Sequence, residues 1–226
     1  MIVFVCCLPP TLLGQHKTST IEVIVIGGPQ PASAKLSQPE SSHGSEAVIN
    51  GDTIRMTDTL DVPLSGTLMI SYKGTGNLWW RYPVYFMSGD LTIRIDRQNN
   101  QLGDMQVAGP KWSEDFSNLL EGPVRKYNQQ INDLRKQLKK PGVDTTSLKK
   151  QLNIAINACF GVPREYIKKY PSSPLDIIAL QFMGKGDRTL QDPEMELVGL
   201  FRSLPDSIQK SEEGKAYWEK LQKLLE

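Results

Sequence analysis

The chain has 226 residues, of which 39% are hydrophobic and 23% charged, and its formal net charge is +1. This balance is that of a globular protein with its own core, and it excludes a small protein that depends on disulfides for its stability. A net charge near zero offers no general attraction to a polyanion, and the aromatic residues do not alternate with basic runs. We therefore expect no nucleic-acid binding.

The chain begins with an apolar segment over residues 1–14, followed by Gln15. The pattern is typical of a secretory signal peptide. The segment is too short for a membrane span, which needs about 20 apolar residues, and two prolines interrupt it. We predict a leader over 1–14, export to the periplasm or envelope, and no transmembrane span after leader removal. Two alternatives stay open: lipid attachment at Cys6 or Cys7, and a buried first strand over 2–5.

Between Gln15 and Pro110, short apolar runs alternate with turn residues. A soft segment over 30–44, rich in Pro, Ser and Ala, carries at most one weak strand, and Asn50-Gly51 is a strong hairpin signal. Many short strands with close turns predict an antiparallel β-sandwich or open barrel over 15–110. The strand-forming runs are 21–26, 47–49, 53–56, 67–72, 83–87, 91–96 and 104–109.

After Pro110, amphipathic helical patterns dominate. Ser113 is a plausible N-cap for a helix that reaches Lys140, and a second helix begins near residue 144, with Gly161 and Pro163 interrupting or bending it. Further helices are predicted over 175–183, over 194–203 and after 211. The last of these is expected to bury Ala216, Trp218, Leu221 and Leu225.

Strands first and helices second predict an α+β fold rather than repeated βαβ units. The three regions are then a leader over 1–14, a β-rich domain over 15–110 and a helical region over 111–226. Apolar sheet faces and apolar helix stripes both need partners, so we expect the helices to pack on one face of the β domain as a single cooperative unit.

Catalytic and metal-binding patterns are missing from the sequence. The chain has three cysteines, Cys6, Cys7 and Cys159, and no C-x-x-C, so it lacks the paired thiols of dithiol exchange. Cys159 is expected to be a small buried hydrophobe, and His16 and His43 lie in the leader remnant and the soft segment. We assign no catalytic residue, no cofactor and no metal ligand, and we expect a protein that is not an enzyme.

The most distinctive cluster is Trp79-Trp80-Arg81-Tyr82. Aromatic patches mark recognition surfaces, so Trp79, Trp80 and Tyr82 are the candidate binding residues. The alternative is structural: adjacent strand residues point to opposite faces, which would place one tryptophan in the core and the other against the helical region.

Several segments carry a family resemblance when they are taken in chain order. They are V-I-N-G-D-T-I-R at 48–55, V-Y-F-M-S-G-D-L-T-I at 84–93, V-A-G-P at 107–110, E-Y-I-K-K-Y-P-S-S at 165–173, and L-F-R-S-L at 200–204 followed by S-E-E-G-K at 211–215. Together they resemble a domain of unknown function that precedes the thioredoxin module in TlpA/ResA-like thiol:disulfide oxidoreductases of Gram-negative envelopes. The resemblance covers about residues 21–226.

The resemblance implies a non-catalytic accessory or docking domain whose partner is a thioredoxin-like module or another envelope protein. In the family, a thioredoxin fold with C-x-x-C follows this domain, whereas this chain holds no C-x-x-C. Two departures are Tyr170 in place of an Asn and the Gly161-Val162-Pro163 interruption of a helix that is normally continuous. A second hypothesis is a free-standing periplasmic or surface binding protein that uses an exposed sheet face.

Overall fold

The structure is a computed structural model, and it describes residues 15–37, 47–62, 64–76, 78–87, 89–98, 103–184 and 193–225. The predicted leader over 1–14, with Cys6 and Cys7, lies outside the described residues, as do His43 and the side chain of His16. Within the described part of the chain, no helix is both long enough and apolar enough to cross a membrane.

The chain divides into two compact units. The β unit comprises the described residues of 1–103 and 108–113, and the helical unit those of 104–107 and 114–226. The expectation that both unfold as one cooperative unit stays a prediction.

The described residues contain eight strands. Their bounds are β1 (Gln15–Ile26), β2 (Pro31–Ser37), β3 (Ala47–Asn50), β4 (Thr53–Val62), β5 (Leu64–Tyr72), β6 (Trp79–Phe86), β7 (Leu91–Asp96) and β8 (Asp104–Ala108). One sheet has the strand order β3-β4-β1-β7-β8 and the other the order β2-β5-β6. Helices follow the strands, so the predicted α+β class is confirmed. The described part of the soft segment carries one strand, β2.

The expected all-antiparallel arrangement is wrong at one pair. Strand β1 pairs antiparallel with β4 but parallel with β7, in the register Val23 to Ile93. Parallel neighbours need a long crossover connection. Here the crossover contains β2, β5 and β6, which form the second sheet, and no local pattern in the sequence shows this.

Each sheet of the β unit buries one apolar face, which is the arrangement of a sandwich. In the larger sheet the buried side chains alternate along β1 and β7, as the pattern over 91–96 predicts. In the smaller sheet they alternate over 65–70 of β5 and 81–84 of β6, whereas the last residues of each strand, 70–72 and 84–86, are buried consecutively. The buried residues of these strands include Ile21, Val23, Val25, Leu91, Ile93 and Ile95 in the first sheet, and Leu68, Ile70, Tyr82 and Val84 in the second.

The predicted hairpin is confirmed, and its turn begins at Gly51. Asn50 pairs with Thr53, so the two turn residues are Gly51 and Asp52. Gly51 has φ of 60°, a left-handed conformation that glycine adopts without steric cost. A two-residue loop with positive φ at its first position suits the twist of a β-hairpin.

The helices lie after residue 110, as predicted, but the first begins at Lys111, so Ser113 lies inside it and the predicted N-cap is wrong. Their bounds are α1 (Lys111–Asp115), α2 (Gly122–Leu138), α3 (Thr145–Lys169), α4 (Asp176–Gly184), α5 (Pro193–Ser203), α6 (Asp206–Gln209) and α7 (Glu212–Leu225). The start of α3 agrees with the prediction, because the Asp144 carboxylate accepts hydrogen bonds from the backbone N–H groups of Thr146 and Ser147. This is an N-cap at the predicted position.

The predicted first helix contains a π-helical turn over Phe116–Glu121, between α1 and α2. The Gly122 N–H donates to the carbonyl oxygen of Ser117, five residues earlier, and a Cβ on Gly122 would lie 2.8 Å from that oxygen. Pro123 has no N–H, and in an α-helix its ring would meet the carbonyl four residues before it. The wider π turn relieves this conflict, and Gly122-Pro123 is the signal that could have predicted it.

Gly161 and Pro163 were expected to interrupt or bend the second helix; the interruption is wrong, and the bend stays a prediction. Helix α3 continues from Thr145 to Lys169 with Pro163 inside it. Phe160, Pro163 and Ile167 are all buried. Proline inside a helix costs about 3 kcal/mol, and packing of this buried stripe offsets that cost.

The buried face of the last helix, α7, differs from the predicted one. Tyr217 and Leu221 are buried, Trp218 is half-buried and Ala216 is exposed, while the side chain of Leu225 lies outside the described residues. The side of α7 that carries Tyr217 and Trp218 packs against Phe201 of α5. The ring centroid of Phe201 lies 5.9 Å from that of Tyr217 and 5.1 Å from that of Trp218.

Candidate functional site

The two adjacent tryptophans lie on opposite faces of the three-stranded sheet. Strand alternation places Trp80 on the inner face, where its ring contacts the ring of Tyr72, with centroids 5.1 Å apart. Trp79 lies on the outer face, with the Lys35 ammonium 4.9 Å from its ring centroid. The sequence thus brings Trp79, Trp80 and Tyr82 onto one strand but not onto one surface.

The inner-face cluster is built around a buried arginine. The Arg97 guanidinium carbon lies 3.9 Å from the ring centroid of Tyr72 and 4.8 Å from that of Trp80. The hydroxyls of Tyr72 and Tyr82 are 3.2 Å apart, and Tyr82 is fully buried. Tyr82 therefore lies in the core of the β unit in this conformation, and its role as a binding residue stays a prediction.

Arg97 joins the two sheets of the β unit. Its backbone N–H donates to the carbonyl of Ile26 at 2.7 Å, directly after β7 in the larger sheet, while its side chain contacts rings of the smaller sheet. Burial raises the pKa of Tyr72, and the Tyr82 hydrogen bond and the Arg97 charge oppose that shift. The role of this cluster is structural, because a planar cation stacked on aromatic rings stabilises the packing of the two sheets.

Replacing Arg97 by lysine is expected to lower the free energy of unfolding by about 1–2 kcal/mol, because an ammonium group cannot stack flat against both rings. Urea unfolding monitored by tryptophan fluorescence measures the change. Arg94→Lys is the matched control, since Arg94 is exposed on the neighbouring strand β7. Equal stability of the two variants would show that the stacking of Arg97 contributes nothing.

The outer face of the three-stranded sheet is a different surface. Cross-strand register places Lys35, Met69 and Arg81 in one row over β2, β5 and β6, and the neighbouring rows end in Trp79 and Pro83. Lys35 and Arg81 are exposed, while Met69, Trp79 and Pro83 are half-buried. We call these five residues the Trp79 face.

The Trp79 face is basic. Besides Lys35 and Arg81, the side chains that the described strands direct to this side of the sheet are uncharged. Within the described residues the cations of this face therefore lie without a carboxylate beside them. The uncharged outward residues are Ser33, Ser37, Ser65, Thr67, Met69, Ser71, Trp79, Pro83 and Tyr85, of which Ser71 and Tyr85 are buried.

The helical unit holds a second polar cluster, and this one is buried. The hydroxyls of Tyr166 and Ser173 are 2.8 Å apart, and the Ser173 oxygen also accepts a hydrogen bond from the Leu175 N–H. Asp176 is fully buried next to them, at the start of α4. Burial raises the pKa of Asp176 to about 7, and the nearby backbone of Ser172 and Ser173 acts in the opposite direction. Neither carboxylate oxygen has a hydrogen-bond partner among the described residues.

Glu121, in the π-helical turn, is a second buried carboxyl group of the helical unit. Its burial raises its pKa to about 7, opposed by the charge of Arg125, whose Nε lies 3.4 Å from a Glu121 oxygen. Sequence reasoning missed both carboxyl groups, because acidic residues in a helical pattern are normally solvated. A signal for Asp176 was its position between Leu175 and Ile177, in an apolar run.

Cys159 is placed unfavourably for thiol chemistry. It is half-buried, and its Sγ lies 3.9 Å from the Val124 carbonyl oxygen and 3.7 Å from the Asn128 side-chain oxygen. Burial raises the pKa of its thiol, so the nucleophilic thiolate is scarce at neutral pH. In the described part of the chain, no group of three or more His, Cys, Asp or Glu residues could hold a metal ion.

A scan against protein-family models and a search of curated proteins find no match to this chain. The resemblance to the domain that precedes thioredoxin modules therefore stays a prediction. The support for a function comes from the geometry of the chain, above all from the Trp79 face.

Proposed function

We propose that this chain is a non-catalytic accessory module that acts in the periplasm or envelope and docks a thioredoxin-fold partner through the Trp79 face. The observation that carries the proposal is that face, where Met69 lies between the exposed cations Lys35 and Arg81 and Trp79 lies in the neighbouring row, on the same strand as Arg81. Tryptophan, methionine and arginine are enriched in the centres of protein interfaces. The resemblance of the chain supplies the class of partner.

The surroundings of Cys159 support the non-catalytic part of the proposal. We expect the purified protein to give no insulin reduction above background, because Cys159 has a raised thiol pKa and no C-x-x-C accompanies it. The assay is run beside Cys159→Ser. Turnover that disappears in this variant would contradict the proposal.

Docking is tested with a purified thioredoxin-fold domain of the TlpA/ResA type, titrated into the isotope-labelled chain and followed by NMR. The indole N–H of Trp79 and the amides of β2, β5 and β6 are expected to shift. Trp79→Ala should weaken binding about tenfold or more, as expected for an interface hot spot. The matched control is Val48→Ala, an exposed apolar residue on β3 of the other sheet.

The docking proposal fails if no binding is observed, or if the shifted resonances lie away from the Trp79 face. A second candidate, a free-standing periplasmic or surface binding protein, uses the same exposed face. A neighbouring reading frame that encodes a thioredoxin fold with C-x-x-C favours the accessory module over this candidate.

A further inference from the structure

On the outer faces of the two sheets of the β unit, positively charged side chains differ in whether a carboxylate pairs with them. On the larger sheet, the Arg55 side chain forms an ion pair with Glu22 at 2.8 Å, so this cation is neutralised within the unit. On the smaller sheet, Lys35 lies over the ring of Trp79, and the outward residues described there include no carboxylate. The Trp79 face therefore has a positive charge that a partner can complement.

The positions of these cations define the form of a partner. Neighbouring strands lie about 4.8 Å apart, so Lys35 on β2 and Arg81 on β6 start about 10 Å apart, with Met69 between them. Trp79 and Pro83 extend the apolar part on the β6 side. An occupant that fits has carboxylates at its margins and at least one apolar side chain at its centre.

Other classes of occupant use only part of this surface. A nucleic acid needs many cations, and two exposed cations on a chain of net charge +1 are too few for it. A small inorganic anion would leave Met69, Trp79 and Pro83 without a partner. An acidic polypeptide uses both the cations and the apolar residues.

We infer that the Trp79 face recognises an acidic segment of polypeptide, with carboxylates beside Lys35 and Arg81 and an apolar side chain against Trp79. This inference rests on the proposed function, since it takes the docking surface from it and adds the chemistry of the partner. The association is electrostatically steered, so it weakens as salt is added.

The test uses a short synthetic peptide rich in glutamate and leucine, and a counterpart with glutamine in place of every glutamate. Calorimetric titration is expected to show binding of the glutamate peptide alone. Lys35→Gln with Arg81→Gln should weaken that binding about tenfold or more. Arg94→Gln, an exposed cation on β7 of the other sheet, is the matched control and should leave it unchanged.

Equal binding of the two peptides, or insensitivity to Lys35→Gln with Arg81→Gln in variants that unfold at the same urea concentration as the wild type, would overturn the inference. Binding of polygalacturonate in place of the peptide would also overturn it and indicate an acidic glycan. If the thioredoxin-fold domain still docks on Trp79 in the double variant, the proposed function stands and only the inference fails. If the glutamate peptide binds and the thioredoxin-fold domain does not, the proposed function fails.

Discussion

Replacing Gly214 by alanine is expected to lower the free energy of unfolding of the helical unit by about 3 kcal/mol or more. Gly214 lies in the first turn of α7, and its N–H donates to the Ser211 hydroxyl oxygen at 3.0 Å. An added Cβ would overlap the carbonyl oxygen of Ile208 and lie 2.8 Å from that of Gln209. Both oxygens belong to the backbone at the end of α6, so the junction of α6 and α7 must open to admit the methyl group.

The matched control for this variant is Gly199→Ala, inside α5. A Cβ at Gly199 would meet no heavy atom within 4 Å. Alanine is favoured over glycine inside helices, so this variant should gain about 0.5–1 kcal/mol. Urea unfolding followed by circular dichroism compares the two variants. If Gly214→Ala is as stable as Gly199→Ala, α6 and α7 are not joined as described.

The same glycine shows where local sequence patterns stop being informative. The glycine at position 214 entered the sequence analysis only through the family resemblance. The structure gives the physical reason for a glycine there, which is the close approach of carbonyl oxygens from α6. This helix has four residues, and periodicity did not predict it. A close approach between consecutive elements depends on the angle at which they meet, and the residue types do not encode that angle in an obvious way.

The predictable parts of the fold are those with a strict local period. Alternation over 91–96 gave a strand with one buried face, and the Asp144 cap gave the start of α3. The parallel pairing of β1 with β7 could not be predicted, since it depends on where the intervening strands fold. The continuity of α3 through Pro163 was missed because burial of the stripe around Pro163 offsets a large local cost, and the sequence pattern does not show that burial.

For the candidate site too, the local strand pattern was predictable and the contacts between strands were not. Alternation correctly separated Trp79 from Trp80 onto opposite faces of the sheet. The residues that give each tryptophan its surroundings, Lys35 and Arg97, lie on other strands or after them, and their contacts are set by register. The burial of Tyr82 was not predicted, because a tyrosine is equally suited to an interface and to a core in which its hydroxyl finds a partner.

The second large effect concerns the dependence of stability on pH. Asp176 has an ordinary pKa of 3.8 and a folded pKa of about 7, raised chiefly by burial. Between these values the unfolded chain releases the proton that the folded chain retains. The free energy of unfolding therefore falls as pH rises from about 4 to about 7, and this loss is complete above that range. One pKa unit corresponds to about 1.4 kcal/mol, so Asp176 alone accounts for a loss on the order of 4 kcal/mol.

Asp176→Asn removes this cost, because the amide stays neutral at every pH. We expect the variant to be more stable than the wild type by a few kcal/mol at about pH 8, and to approach wild-type stability at about pH 4. Urea unfolding across this range measures the difference between the two proteins, which separates Asp176 from Glu121 and all other titrating groups.

Asp206→Asn is the matched control, with the opposite sign. Asp206 is fully exposed, and a hydrogen bond from Lys210 together with its charge lowers the pKa of the Asp206 carboxyl group. A lowered pKa stabilises the folded chain above the unfolded pKa, so Asp206→Asn should lose a little stability at neutral pH and none in acid. If Asp176→Asn is less stable than the wild type by the same amount at both ends of the pH range, the folded protein holds Asp176 ionised, and the raised pKa is wrong.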